Sequence, residues 1–143
     1  RSEGEHDHGA GETEDMLAIL DGARQIYGEL PVVLAGFSFG AYVQTRVATK
    51  LAEGGQAARR LILVGTAVGR VEKIGHFDTR GVPPDTILIH GEHDEIVPLQ
   101  NVLDWAAARS LHVDVVPAAG HFFHGKQKAI HDIIMRRWQA AAP

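Results

Sequence analysis

Residues 34–42 read Leu34-Ala-Gly-Phe-Ser38-Phe-Gly-Ala-Tyr42. The apolar run Pro31-Val-Val-Leu-Ala-Gly36 ends in Gly36-Phe37-Ser38-Phe39-Gly40 and passes directly into Ala-Tyr-Val. A turn usually carries Asn, Asp, Pro or Gly, each for its own backbone reason. Here a serine stands between two phenylalanines, with a glycine outside each. Three readings of Ser38 are open: a buried hydroxyl, a helix cap or a nucleophile.

The surrounding pattern narrows them. Pro31–Gly36 is short and unbroken, as expected of a strand buried on both faces. Ala41 to Glu53 has helical character and ends at Gly54-Gly55. The alternation then continues. Arg60–Gly65 reads as a second buried strand, residues 66 to 85 as irregular, and Thr86–His90 as a third strand. Pro98 suits the first turn of a helix reaching about Arg109. His112–Val116 is a fourth strand, and a last helix covers about Gln127 to Gln139. Upstream, Met16, Leu17, Leu20, Ala23 and Tyr27 recur at helical spacing, so 14–27 is an amphipathic helix. Thr13 is placed to cap it and Gly28 to end it. Residues 1 to 12 read as a loop. Strands alternating with helices predict an α/β fold, a parallel sheet with helices on both faces.

The totals set bounds. A chain of 143 residues fits one ordinary domain. Hydrophobic residues at 45% and charged residues at 22% are those of a globular protein. A formal charge of −4 argues against a nucleic-acid or anionic-membrane partner. No apolar run is long enough to span a membrane. No signal peptide is evident, and the cytoplasm is the default compartment. Without cysteine there is no disulfide, thiolate nucleophile or Cys-ligated zinc.

In parallel sheets, ligands bind beyond the carboxyl ends of the strands. After the four predicted strands stand Phe37-Ser38-Phe39, Thr66-Ala67, Gly91-Glu-His-Asp94-Glu95 and Pro117-Ala-Ala-Gly120-His121. A serine, an acid and a histidine thus occupy three strand tips. A serine hydroxyl needs a base, and a histidine base needs a carboxylate to fix its tautomer. Ser38, His121 and Asp94 can fill those roles. Glu92 and Glu95 flank Asp94 and compete for the third; spacing from the strand favours Asp94. A sharp strand-to-helix turn would present Ser38 above the sheet, with Gly36 and Gly40 allowing close backbone approach. The amide of Phe39 would then face a developing oxyanion. Phe37 and Phe39 either pack beneath the turn or wall an acyl pocket, and His124 is a neighbour of His121.

The stretch Gly36–Gly40 resembles the nucleophile elbow of the α/β-hydrolase fold. "LIHGEHDEIVP", 88–98, is similar to the family's acid loop, and "PAAGHFFHGK", 117–126, to its histidine loop. "RSEGEHDHGAGETED" is similar to the loop and helix start after the family's fourth strand. The nearest likeness is to small, capless bacterial serine hydrolases grouped with the dienelactone-hydrolase-like enzymes, with Ser38 where true dienelactone hydrolases carry cysteine. The resemblance implies a Ser38–His121–Asp94 serine hydrolase with Phe39 in the oxyanion hole. It implies a small-molecule ester as substrate, with a thioester or amide open to the same site, and no required metal or organic cofactor. Only the last four of the family's eight strands have equivalents, and the sequence starts at Arg1. The 143 residues are therefore expected to form one α/β-hydrolase domain without its N-terminal strands. A preceding segment or another chain should cover the edge of strand 31–36. The segment 66–85 is too short for a lid domain. A rival reading keeps the fold as a non-catalytic binding or scaffolding protein. Pairs such as His6/His8, His90/His93 and His121/His124 raise a metal reading, but none forms the HExxH pattern.

Overall fold

The computed structural model describes residues 8–140. In chain order its elements are α1 (Ala10–Tyr27), β1 (Val33–Phe37), α2 (Phe39–Glu53), β2 (Arg60–Val64), β3 (Gly69–Val71), β4 (Gly75–Phe77), β5 (Ile87–Gly91), α3 (Leu99–Ala107), β6 (Val113–Val116) and α4 (Gln127–Ala140). The main sheet has the order β1-β2-β5-β6, and every pairing in it is parallel. β3 and β4 form a separate antiparallel hairpin.

Side-chain alternation along each strand builds two cores. Leu34, Leu61, Leu63 and Leu88 face one side, where Val47 and Leu51 of α2 and Val102 and Trp105 of α3 meet them. α1 joins this layer through Met16, Leu17 and Leu20. Ile87, Ile89 and Val116 face the other side and pack with Ile133 of α4. Asp114 also lies on the α4 side, where it pairs with Arg136 and Arg137 at 3.4 and 3.1 Å. Helices therefore cover both faces, the α/β arrangement expected from the alternation. Among the described residues no helix is long and apolar enough to cross a membrane.

Several local expectations change. β1 is buried on one face only. Leu34 is 3% exposed, whereas Val33 and Phe37 are each 42% exposed and Ala35 is open as well. The strand lies at the sheet edge, and α4 packs mainly over β5 and β6. Thr13 is not a cap. Helix α1 starts earlier, at Ala10, with Gly9 as its N-cap at φ 101°. The Gly9 amide donates to the Glu12 carboxylate at 3.0 Å, and the Thr13 hydroxyl donates back to the Gly9 carbonyl. Pro98 stands just outside α3, as its N-cap. Segment 66–85 is not wholly irregular, because it contains the β3–β4 hairpin.

The two glycines of the Ser38 turn differ in kind. A Cβ on Gly36 would lie 2.6 Å from the Ala41 Cα and the Gly40 carbonyl oxygen, both backbone atoms. A Cβ on Gly40 would meet nothing within 4 Å. Close approach thus explains Gly36 and not Gly40. Gly36→Ala is expected to destabilise the fold by about 3 kcal/mol through overpacking. Gly40→Ala, inside α2, should be neutral or stabilising by about 0.5 kcal/mol. Urea unfolding of the two variants checks the contrast.

Candidate active site

Ser38 is the residue between β1 and α2. Its backbone sits at φ 54°, ψ −120°, a conformation that costs a residue with a side chain free energy. Four backbone bonds hold it there, one of them from the Ala67 amide to the Ser38 carbonyl at 3.4 Å. The Ser38 amide donates to the Val64 carbonyl at 2.9 Å, and its carbonyl accepts from Ala41 and Tyr42 at 3.1 and 3.2 Å.

Asp94 lies in the loop after β5. Its Oδ1 accepts the amides of Ile96 and Val97, at 3.0 and 2.7 Å, which fixes the carboxylate plane. His121 lies in the loop after β6. A Cβ on Gly91 would be 2.5 Å from the Ala119 carbonyl oxygen, so the two loops touch through bare backbone. The carboxylates beside Asp94 complete the join. Glu92 accepts the Ala118 amide at 2.8 Å, and Glu95 accepts the His121 amide at 3.0 Å. The three acids are therefore sorted by what they touch. Glu92 and Glu95 hold the backbone of the histidine loop, and Asp94 reaches the imidazole.

The three strand-tip residues come together. His121 Nδ1 is 2.8 Å from Asp94 Oδ2, and His121 Nε2 is 2.9 Å from Ser38 Oγ. Ionised, Asp94 can only accept, so Nδ1 carries the proton and Nε2 accepts from the serine hydroxyl. His121 is 2% exposed and Asp94 8%. Ser38, half-buried, is the member of the set open to solvent.

No protein-family model matches the chain, and no curated protein does either. Solved structures do. A lidless α/β serine hydrolase of Xanthomonas campestris is 34% identical, with a TM-score of 0.77 over 99% of this chain and 63% of its own. An α-β serine hydrolase homologue of Coxiella burnetii is 29% identical, with a TM-score of 0.76 over 99% of this chain and 64% of its own. The chain has the α/β-hydrolase fold. It spans less than two thirds of the length of these two relatives. A meta-cleavage product hydrolase of Pseudomonas fluorescens, 14% identical, shares the fold with a TM-score of 0.75 over 99% of this chain and 75% of its own.

In this α/β-hydrolase fold the two elbow phenylalanines part company. The Phe37 ring lies 5.0 Å from the His121 ring and braces it, with Phe122 on a further side at 5.2 Å. Phe39 turns the other way and packs on Tyr42 and Phe77. There it walls a cavity of about 290 Å³ beside Ser38, closed by Val71, Ile74, Phe77 and Ile96. The hairpin supplies three of these side chains. It is held by Asn101, whose amide donates to the Val68 and Arg70 carbonyls at 3.0 and 2.9 Å. Thr79 and Trp105 anchor its far end. Sequence reading missed this wall because three-residue strands leave no period to detect. His124 is exposed and stacks on Phe122 at 5.9 Å. Of the metal-type pairs among the described residues, His90 is buried while His93 is exposed beside Glu92, and His121 is buried while His124 is exposed. His6 lies outside the described residues.

Two groups near the site have displaced titrations. Burial lowers the pKa of His90 below 6.5, against the opposing effect of the Val97 carbonyl and Asp94. The His121 amide, followed by its own backbone amide, lowers that of Glu95 below 4.5. For His90 the unfolded chain binds the extra proton. Stability is therefore full above pH 6.5 and falls as the pH drops from there toward the folded value. Denaturant unfolding between pH 7.5 and 5.5 should show this loss, with a slope up to about 1.4 kcal/mol per pH unit from this group. His90→Phe should flatten it.

Proposed function

We propose that this chain carries the reaction centre of a serine hydrolase acting on small carboxylic esters through an acyl-enzyme. The observation that carries the reading is the continuous contact from Ser38 Oγ through His121 to a buried Asp94. Ser38 Oγ attacks the ester carbonyl carbon as its proton passes to His121 Nε2. Asp94 stabilises the imidazolium that forms and keeps the ring in place. The carbonyl oxygen takes up the negative charge, and the Phe39 amide, at the head of α2, donates to it. Collapse of the tetrahedral adduct breaks the bond to the alkoxide, which leaves as an alcohol with the proton from Nε2. Water repeats the sequence on the acyl-serine, giving the acid and free Ser38.

The cavity beside Ser38 supports a short apolar acyl group. Its walls are Phe39, Val71, Ile74, Phe77 and Ile96, and its volume of about 290 Å³ is at the small end for ligand sites. p-Nitrophenyl esters of two to six carbons are expected to give the highest kcat/KM. Twelve carbons should cost at least about tenfold, and a chain-length series reads this directly.

A fluorophosphonate tests the reading itself. One adduct on Ser38, absent in Ser38→Ala, is the expected result by intact mass and peptide mapping. A folded protein that forms no adduct would overturn the hydrolase reading and favour a binding protein on the same fold.

A further inference from the structure

His90, the fourth residue of β5, is used by none of the steps above. It is 0% exposed. Its Nε2 lies 2.9 Å from the Val97 carbonyl oxygen and 3.3 Å from Asp94 Oδ2. Both neighbours are acceptors, so Nε2 carries a proton, and burial with no acceptor at Nδ1 favours the neutral ring with a bare Nδ1. That Nδ1 is buried and has no hydrogen-bond partner. The ring thus carries one unpaired nitrogen at a cost and one N–H that faces two acceptors, so packing alone does not account for the imidazole.

Its placement does. Asp94 Oδ1 is held by two amides, whereas Oδ2 faces two imidazoles, His121 at 2.8 Å and His90 at 3.3 Å. The same His90 N–H ties down Val97, whose own amide donates to Oδ1. One ring thus closes a circuit from β5 through the acid loop to the carboxylate. We propose that His90 is a positioning residue of the site, holding Asp94 Oδ2 and the Val97 end of the acid loop so that the carboxylate faces His121. It touches neither substrate nor serine and acts only through Asp94.

The inference rests on the hydrolase reading for its kinetic consequence but not for its geometric one. Three variants separate position from packing. In His90→Leu the donor is gone and the apolar volume is kept. Gln Nε2 is as many bonds from the backbone as His Nε2, so His90→Gln restores the donor. In His90→Asn it falls short. The expected result is a kcat lower by about 10- to 100-fold in the Leu and Asn variants with KM unchanged. The Gln variant should return to within about threefold of the parent. The Leu and Asn variants leave the Val97 carbonyl without its donor and should melt somewhat lower, whereas a kcat that returns in the Gln variant without tracking melting temperature separates position from packing.

A second readout needs no turnover. The His121 Nδ1 proton shared with Asp94, assigned by its loss in His121→Ala, should give a low-field proton resonance. It should broaden or vanish in the Leu and Asn variants and persist in the Gln variant. Parent-like kcat and resonance in His90→Leu would overturn the proposal. So would losses in all three variants that follow melting temperature. If the parent turns over no ester yet the resonance behaves as described, the hydrolase reading fails and the positioning role stands.

Discussion

The site rests on two places where backbone touches backbone. At Gly36 the end of β1 meets the first turn of α2, and at Gly91 the end of β5 meets the loop after β6. Neither contact leaves room for a methyl group. The first brings α2 down close enough to force Ser38 to φ 54° and raise its hydroxyl above the sheet. The second brings the histidine loop onto the acid loop, so that His121 and Asp94 meet at 2.8 Å although 27 residues separate them. Both are steric conditions, set before any electrostatic term acts. The Ser38–His121–Asp94 contacts follow from them.

The electrostatics then refine what sterics permit. Around the buried Asp94 carboxylate stand two amides and two imidazoles. An ionised carboxylate in such a place is tolerable only because donors surround it. Glu92 and Glu95 stay at the surface, and each takes one loop amide. Three carboxylates within the four residues 92–95 thus separate by burial, and burial is set by how the loop turns.

Much of this was legible in the sequence for one reason: strands buried in the sheet are short apolar runs, and the residues after them must gather at one end. That placed Ser38, Asp94 and His121 without any contact being known. What was not legible depends on distant parts of the chain. Val33, Ala35 and Phe37 are as apolar as Leu61 and Leu63. They are exposed because α4 packs over β5 and β6, which nothing in residues 31–37 records. The β3–β4 hairpin was missed because Gly69-Arg-Val and Gly75-His-Phe are too short to show alternation, and its anchors Asn101, Thr79 and Trp105 come from elsewhere. Thr13 looked like a cap because it precedes an acidic turn. The helix runs on past it because Gly9 can adopt φ 101° and so begin the helix a turn earlier.

The way the two loops are joined divides the site into unequal halves. On one side, the acid and histidine loops are stitched by four bonds between backbone amides and either carbonyls or carboxylates: Glu92 to Val116, His93 to Ala119, Ala118 to Glu92 and His121 to Glu95. That half is tied together by bonds that mostly involve the backbone. On the other side, the hairpin carries Val71, Ile74 and Phe77 on a pair of three-residue strands held mainly by side chains of α3. Sequence change in the hairpin can therefore reshape the cavity without disturbing the proton path. Drift in substrate preference has an open route through residues 69–77, and drift in the proton-handling half is closed off by its own stitching.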